Sequence, residues 1–230
     1  MKIRMGFVLF FFSLLFSCDL SGQIINVTRE GIEIADVSGL NKDIDYTEIK
    51  GTPYYHNDYK RGKVLFRNGE EQNFLMRYNI YQDVIEYQQD ESFLLLGWSE
   101  FYEAIIIDGE KFVMRYFKDG PETNRGYFVQ LTDSGLQVYK RMQVGYRDES
   151  DRDSGYEIKR NRACVRSKDL YYMAIGKDIL KVFTGSKNSL KQFVAQDADR
   201  IFKYAKKNKL NLKKEEDLVA LMELYRQGEL

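Results

Sequence analysis

The sequence predicts an α+β protein: mainly an antiparallel β meander, forming a curved sheet or a partly closed barrel, with about three C-terminal α-helices packed on it. Three observations carry this expectation. Hairpin signals recur from residue 60 to residue 183. Apolar residues between them alternate with period two, as in Phe112, Met114, Tyr116 and then Tyr127, Val129, Leu131. After Thr184 the apolar period changes to about 3.6. The 17 Tyr and 15 Phe, against two Pro, suit a sheet filled by large side chains.

Residues 1–17 read as a signal peptide. Lys2 and Arg4 supply the positive n-region, and Gly6 to Phe16 is an apolar run broken only by Ser13, too short to span a bilayer as a permanent helix. "LFSC", Leu15 to Cys18, favours the lipoprotein type, with Cys18 as acceptor of the diacylglycerol, although Phe16 is bulkier than such a site usually holds. Ordinary cleavage near Gly22-Gln23 is the alternative, and there Leu20 stands where a small residue is wanted. A lipidated Cys18 would carry several acyl chains, which stable anchoring requires. Cys164 would then have no partner, so no intramolecular disulfide forms and the fold rests on its core. The expected location is exported: a periplasmic or outer-membrane lipoprotein or, in the alternative, a soluble secreted protein.

Residues 18–60 read as an N-terminal tether and edge segment, with an opening hairpin around Glu30-Gly31. Residues 61–184 form the antiparallel β region. Its turns are marked by Asn68-Gly69, Asp108-Gly109, Thr132 to Gly135 and Gly176-Lys177, where Asn, Asp and Gly accept positive φ. In "LMRYNIYQDVIEY", Leu75 to Tyr87, one face takes Met76, Tyr78 and Ile80. Leu75, Arg77, Asn79 and Tyr81 form a solvated or rim row, and residues 81–84 turn into the next strand. Three runs are apolar on both faces: Phe93 to Trp98, Ala104 to Ile107 and Leu170 to Ile175. Each is expected to be a central strand covered on both sides.

The second cover is expected from residues 185–230, helical and part of the same domain. Leu190, Phe193 and Val194 share one stripe, and Asp197 is placed to cap the next helix, which turns Ile201, Phe202 and Ala205 inward. The last helix opens on Glu215, Glu216 and Asp217 and buries Leu218, Leu221, Met222 and Tyr225. Helices this short need a sheet to dock on.

The stretches "GTPYY", "GKVLFRNG", "LMRYNIYQDVIEY" and "KKNKLNLKKEEDLVALMELY" resemble a family of uncharacterised, often lipoprotein-like, exported proteins of Gram-negative bacteria. The resemblance covers roughly residues 50–227. It implies a single domain and, since no chemistry attaches to those motifs, it supplies no catalytic residue.

Lys plus Arg equals Asp plus Glu at 35 each, so no basic excess points to nucleic acid. His56 is the only histidine, which excludes a multi-histidine zinc site and leaves any triad one imidazole. Arg162 and Arg166 flank Cys164 and would make a thiolate reactive if their shared face were wet. The acidic stretch from Tyr146 to Glu157 fails calcium-loop spacing. Glu100 and Glu103 flank aromatic residues without a readable geometry. No phosphate loop, HExxH or GxSxG occurs, so no catalytic residue, metal or cofactor is expected. The expected function is a non-catalytic envelope protein on an N-terminal lipid anchor, binding a protein or glycan partner. The contact residues would be Tyr54, Tyr55, His56 and Tyr59 of the Tyr-rich loop, with Arg77 and Asn79 nearby. The alternative is an envelope hydrolase using His56 and clustered carboxylates.

Overall fold

The structure is a computed structural model that describes residues 27–28, 31–32, 49–90, 92–97, 99–150 and 160–230. Residues 1–17, expected to be a signal peptide, and Cys18, Trp98 and the tip of the acidic loop lie outside the described residues. The strands are β1 (Val27–Thr28), β2 (Gly31–Ile32), β3 (Ile49–Lys50), β4 (Lys60–Phe66), β5 (Glu71–Asn79), β6 (Val84–Gln89), β7 (Ser92–Leu96) and β8 (Tyr102–Ile107). They continue as β9 (Glu110–Asp119), β10 (Glu122–Gln130), β11 (Leu136–Arg141), β12 (Val144–Ser150), β13 (Arg160–Arg166), β14 (Leu170–Ile175) and β15 (Lys181–Phe183). Helices α1 (Lys187–Lys191), α2 (Ala198–Lys207) and α3 (Glu215–Gln227) close the chain.

The arrangement is α+β, built on a curled ten-stranded antiparallel sheet in the order β15-β14-β11-β10-β9-β8-β4-β5-β6-β7. β4 to β7 run outward as hairpins. The chain then returns to lay β8 on the other side of β4 and runs outward again through β11. The turns follow their chemistry: Asp108 and Gly109 both take positive φ (51° and 85°), the primed two-residue loop that matches strand twist. β12 and β13 leave the main sheet and take up β3, whose Ile49 pairs in parallel with Arg162.

Two cores follow from the curl. Residues of one parity, among them Val64, Met76, Ile85, Ile107, Phe112 and Val129, fill the inside of β4 to β10. The opposite parity on β9 to β14 builds a second core of Phe117, Phe128, Tyr139, Tyr172 and Leu180, with three edge-on ring pairs at 5.1–5.7 Å between centroids. The second core is ringed by main chain. After β14 the strand bends back so that the Leu180 N–H donates to Tyr116 O (2.9 Å) and Leu180 O accepts from Lys118 N (3.0 Å). That joins the segment before β15 to β9.

The first core is sealed differently. The β10–β11 ladder has only two pairs, Val129↔Lys140 and Gln130↔Tyr139. Beyond them the Asp83 carboxylate, from the β5–β6 turn, takes the place of a strand. Its Oδ1 accepts from the Tyr127 N–H (3.1 Å) and the Tyr78 hydroxyl (2.7 Å), and Oδ2 lies 3.0 Å from Arg141 Nη2. Gly126 makes room: a Cβ there would fall 2.1 Å from Arg141 Nη1 and 2.4 Å from Asp83 Oδ2.

The helices pack Leu190, Ile201, Ala205, Leu218, Leu221 and Met222 on Leu136, Val138, Met173 and Phe183. They therefore cover β11, β14 and β15, not all three doubly apolar runs. Leu170 to Ile175 has the helices on one side and the second core on the other. Ala104 to Ile107 is central, but both its covers come from the sheet's own curl, Ile105 and Ile107 in one core and Ala104 in the other. Phe93 to Trp98 contradicts the expectation: β7 is an edge strand and Phe93 is 54% exposed. Leu96 joins the inner core and Leu95, paired with Glu86, is buried on the opposite face, so apolarity on both faces arose without a second neighbouring strand. Asp197 makes no side-chain cap; its carboxylate instead accepts from Tyr225 OH (2.8 Å) and pairs with Arg200 (3.0 Å).

Candidate functional site

The Tyr-rich loop lies across the end of β5. Its main chain is tied there by Tyr55 N–H to Tyr78 O (2.9 Å), Ile80 N–H to Pro53 O (2.8 Å) and a bridge between Tyr54 and Asn79. Because successive residues of a bridged segment face opposite sides, Tyr54 and Tyr55 belong to different clusters.

On the Tyr54 side, Arg77 is the hub. Its guanidinium carbon lies 3.7 Å from the Tyr54 ring centroid and 4.5 Å from that of Tyr59. Its Nη2 and Nε reach Oε2 of Glu86, the cross-strand partner, at 2.7 and 2.8 Å. Glu86 is 2% exposed. A carboxylate so enclosed needs this guanidinium and its further donors: the Tyr59 hydroxyl (3.2 Å) and Asn79 Nδ2 (3.5 Å). Burial raises the Tyr59 phenol to about 12, with Arg77 opposing and Glu86 reinforcing. Burial works against the Arg77 charge, but Glu86 outweighs it and holds Arg77 above its ordinary value.

Asn79 corrects the reading of its row as solvated: it is fully buried under the loop, with its amide N–H to Gln82 Oε1 (3.2 Å) and its carbonyl accepting from Gln82 N (3.1 Å). Leu75 and Tyr81 of the same row are exposed as expected.

On the other side, Tyr55 packs at a tilt against His56, 4.4 Å between ring centroids, and stands near two cations, Lys140 Nζ at 6.0 Å and Arg166 at 5.7 Å from its ring. Lys140 has a buried ammonium held by Glu110 Oε1 (3.2 Å) and Glu215 Oε1 (3.3 Å), and Tyr171 OH donates to Glu215 (3.4 Å). Burial alone would lower the Lys140 ammonium; the two carboxylates reverse the direction and keep it raised. His56 Nε2 lies 3.9 Å from Asp108 Oδ2, a side chain 57% exposed in a hairpin turn. The structure thus gathers Tyr54, Tyr59, Arg77 and Asn79 around one hub and puts Tyr55 and His56 beside another. Cys164 is buried and burial pushes its thiol up, away from the reactive thiolate that its arginine neighbours suggested.

Glu86 and Lys140, the buried charges that organise the two clusters, escaped sequence reading. Glu86 carried a usable signal, because a turn at residues 81–84 sets Arg77 opposite it.

A cavity of about 540 Å³ opens where β8 and β9 part. Their ladder stops at Ile105↔Phe112, although β8 reaches back to Tyr102 and β9 runs on to Asp119. β8 stays with β4 through Leu65↔Ala104, whereas β9 turns to Leu180.

Among the described residues no group of three or more His, Cys, Asp or Glu could hold a metal ion, and no helix is long and apolar enough to cross a membrane. Neither a protein-family model, nor a curated protein, nor a solved structure matches the chain.

Proposed function

We propose that the protein is a non-catalytic module of the cell envelope, held to a membrane by a lipid on Cys18, that docks a protein partner along the Tyr-rich loop and the adjoining sheet edge. One observation carries the reading. Phe93 packs at a tilt against Tyr59, 5.3 Å between ring centroids, while remaining 54% exposed, on a strand that ends the sheet. The aromatic surface of the loop therefore continues onto an edge whose main chain can accept an extended segment. The Arg77–Glu86 pair beneath it supplies a rigid platform. A glycan on the same rings is the competing occupant. The hydrolase reading is less well supported, since among the described residues the carboxylate beside His56 is that of Asp108, on an exposed turn where water is not excluded.

Benzophenone placed at Phe93 in cells should yield a discrete adduct that protease removes. The same group at Val182, on the opposite edge strand, should not. Equal labelling at both positions refutes the docking edge, and a protease-resistant adduct assigns it to a glycan. Cys18→Ala should abolish fatty-acid labelling and release the protein from membranes; unchanged fractionation, with no label on the native chain, removes the anchor.

A further inference from the structure

The geometry points to a second site, independent of the docking edge: the cleft between β8 and β9 binds a small acidic saccharide. Three walls meet there, because β8 follows β4, β9 follows Leu180, and the β14–β15 turn closes the third side. The third wall is fastened from within. Arg115 Nη2 donates to the carbonyls of Gly176 (2.9 Å) and Asp178 (2.8 Å), and its Nη1 bonds to the Tyr139 hydroxyl. The cleft is thus held open by the protein's own bonds, so little of the binding energy is lost to ordering. Its volume, about 540 Å³, falls within the range of roughly 300–1,000 Å³ that small-ligand sites occupy.

The lining selects the ligand. Ala104 and Val113 give an apolar floor, and Tyr116, 54% exposed, offers a flat ring. Arg67, Arg115, Arg125 and Lys177 line the same cleft as Glu100 and Glu103. The lining is net positive, but a bare anion would leave the two glutamates without a donor, and an acyl chain would leave every charge unused. A sugar satisfies both signs: its hydroxyls donate to the carboxylates, its C–H face lies on the ring, and an oxyanion on it meets the cations. That oxyanion is a carboxylate or a phosphate.

Isothermal titration of the mature protein at low salt separates these, with digalacturonate, glucose 6-phosphate and maltose as probes. One acidic probe should bind, maltose should bind at least tenfold more weakly, and added salt should weaken the acidic probe. The acid that binds tells carboxylate from phosphate. Lys177→Ala with Arg67→Ala, both on exposed side chains, should weaken that probe tenfold or more with at most a small shift of the melting temperature, since Arg67 gives up only an exposed bond to Glu100 O (2.8 Å). Failure of both acids, equal binding of maltose, or an unaffected double variant would each overturn the site. Benzophenone adducts at Phe93 should persist in the double variant, which keeps this site distinct from the docking edge.

Discussion

The inside of β4 to β10 and the ring from β9 to β15 share two strands but are sealed by different chemistry. The ring is closed by main-chain bonds at Leu180, which any non-proline side chain would leave in place. The curl of β4 to β10 is closed at β10 by one carboxylate, Asp83, shared among Tyr127 N–H, Tyr78 OH and Arg141. A main-chain seal is spread along the chain; a side-chain seal puts the same duty on two residues. The first region should therefore be the more fragile to point substitution.

Leu221→Ala probes the ring. It should cost about 2–5 kcal/mol, since Leu221 is fully buried on the ring's outer face, and should loosen amides of β14 and β15 before those of β5 and β6. Arg141→Ala tests the side-chain seal directly. It leaves a part-buried Asp83 without its cation and removes the guanidinium 4.4 Å from the ring of Phe117, so the loss should be about 1–3 kcal/mol. Urea unfolding should show that loss, and hydrogen exchange should quicken at Tyr127 N–H more than at Leu180 N–H. Equal acceleration at both would erase the distinction.

Alkali sharpens the contrast without mutation. Burial raises the phenols of Tyr59 and Tyr102 to about 12. Folded-state values above the ordinary value of about 10 mean that their contribution is whole below pH 10 and is lost as pH climbs from 10 toward 12. Tyrosinate absorbance should lag behind that of the unfolded chain over this window, with the melting temperature falling in step. Normal titration would place those hydroxyls in water. The smallest effect belongs to Tyr54→Ala, which removes one of the two rings stacked on Arg77 and should cost about 1 kcal/mol in a melt. Tyr59→Ala should cost more, because the hydroxyl on Glu86 goes with the ring.

What the sequence showed was whatever depends on neighbours along the chain. Asp108-Gly109 and Asn68-Gly69 set hairpins, Met76, Tyr78 and Ile80 alternate inward, and the helical stripe after Thr184 puts Leu218 and Leu221 in the core. What stayed hidden depends on which strands meet. Phe93 to Trp98 read as central because Leu95 and Leu96 are both enclosed, yet β7 has a neighbouring strand on one side only. Asn79 read as wet because its row is polar, yet the Tyr-rich loop lies over it. The β8–β9 cleft exists because β9 changes partners after Phe112, and no local pattern marks that change.

The parallel pairing of Ile49–Lys50 with β13 has a mechanical consequence. Tension applied at residue 49 meets that two-residue ladder first. The Tyr54–Asn79 bridge comes next, and β4, paired on both sides, after it. Contacts in series yield from the weakest, so the short ladder acts as a fuse. Its release gives the chain slack before the ten-stranded sheet is loaded. A force ramp on a surface-attached molecule should record a small early yield, well separated from the large one.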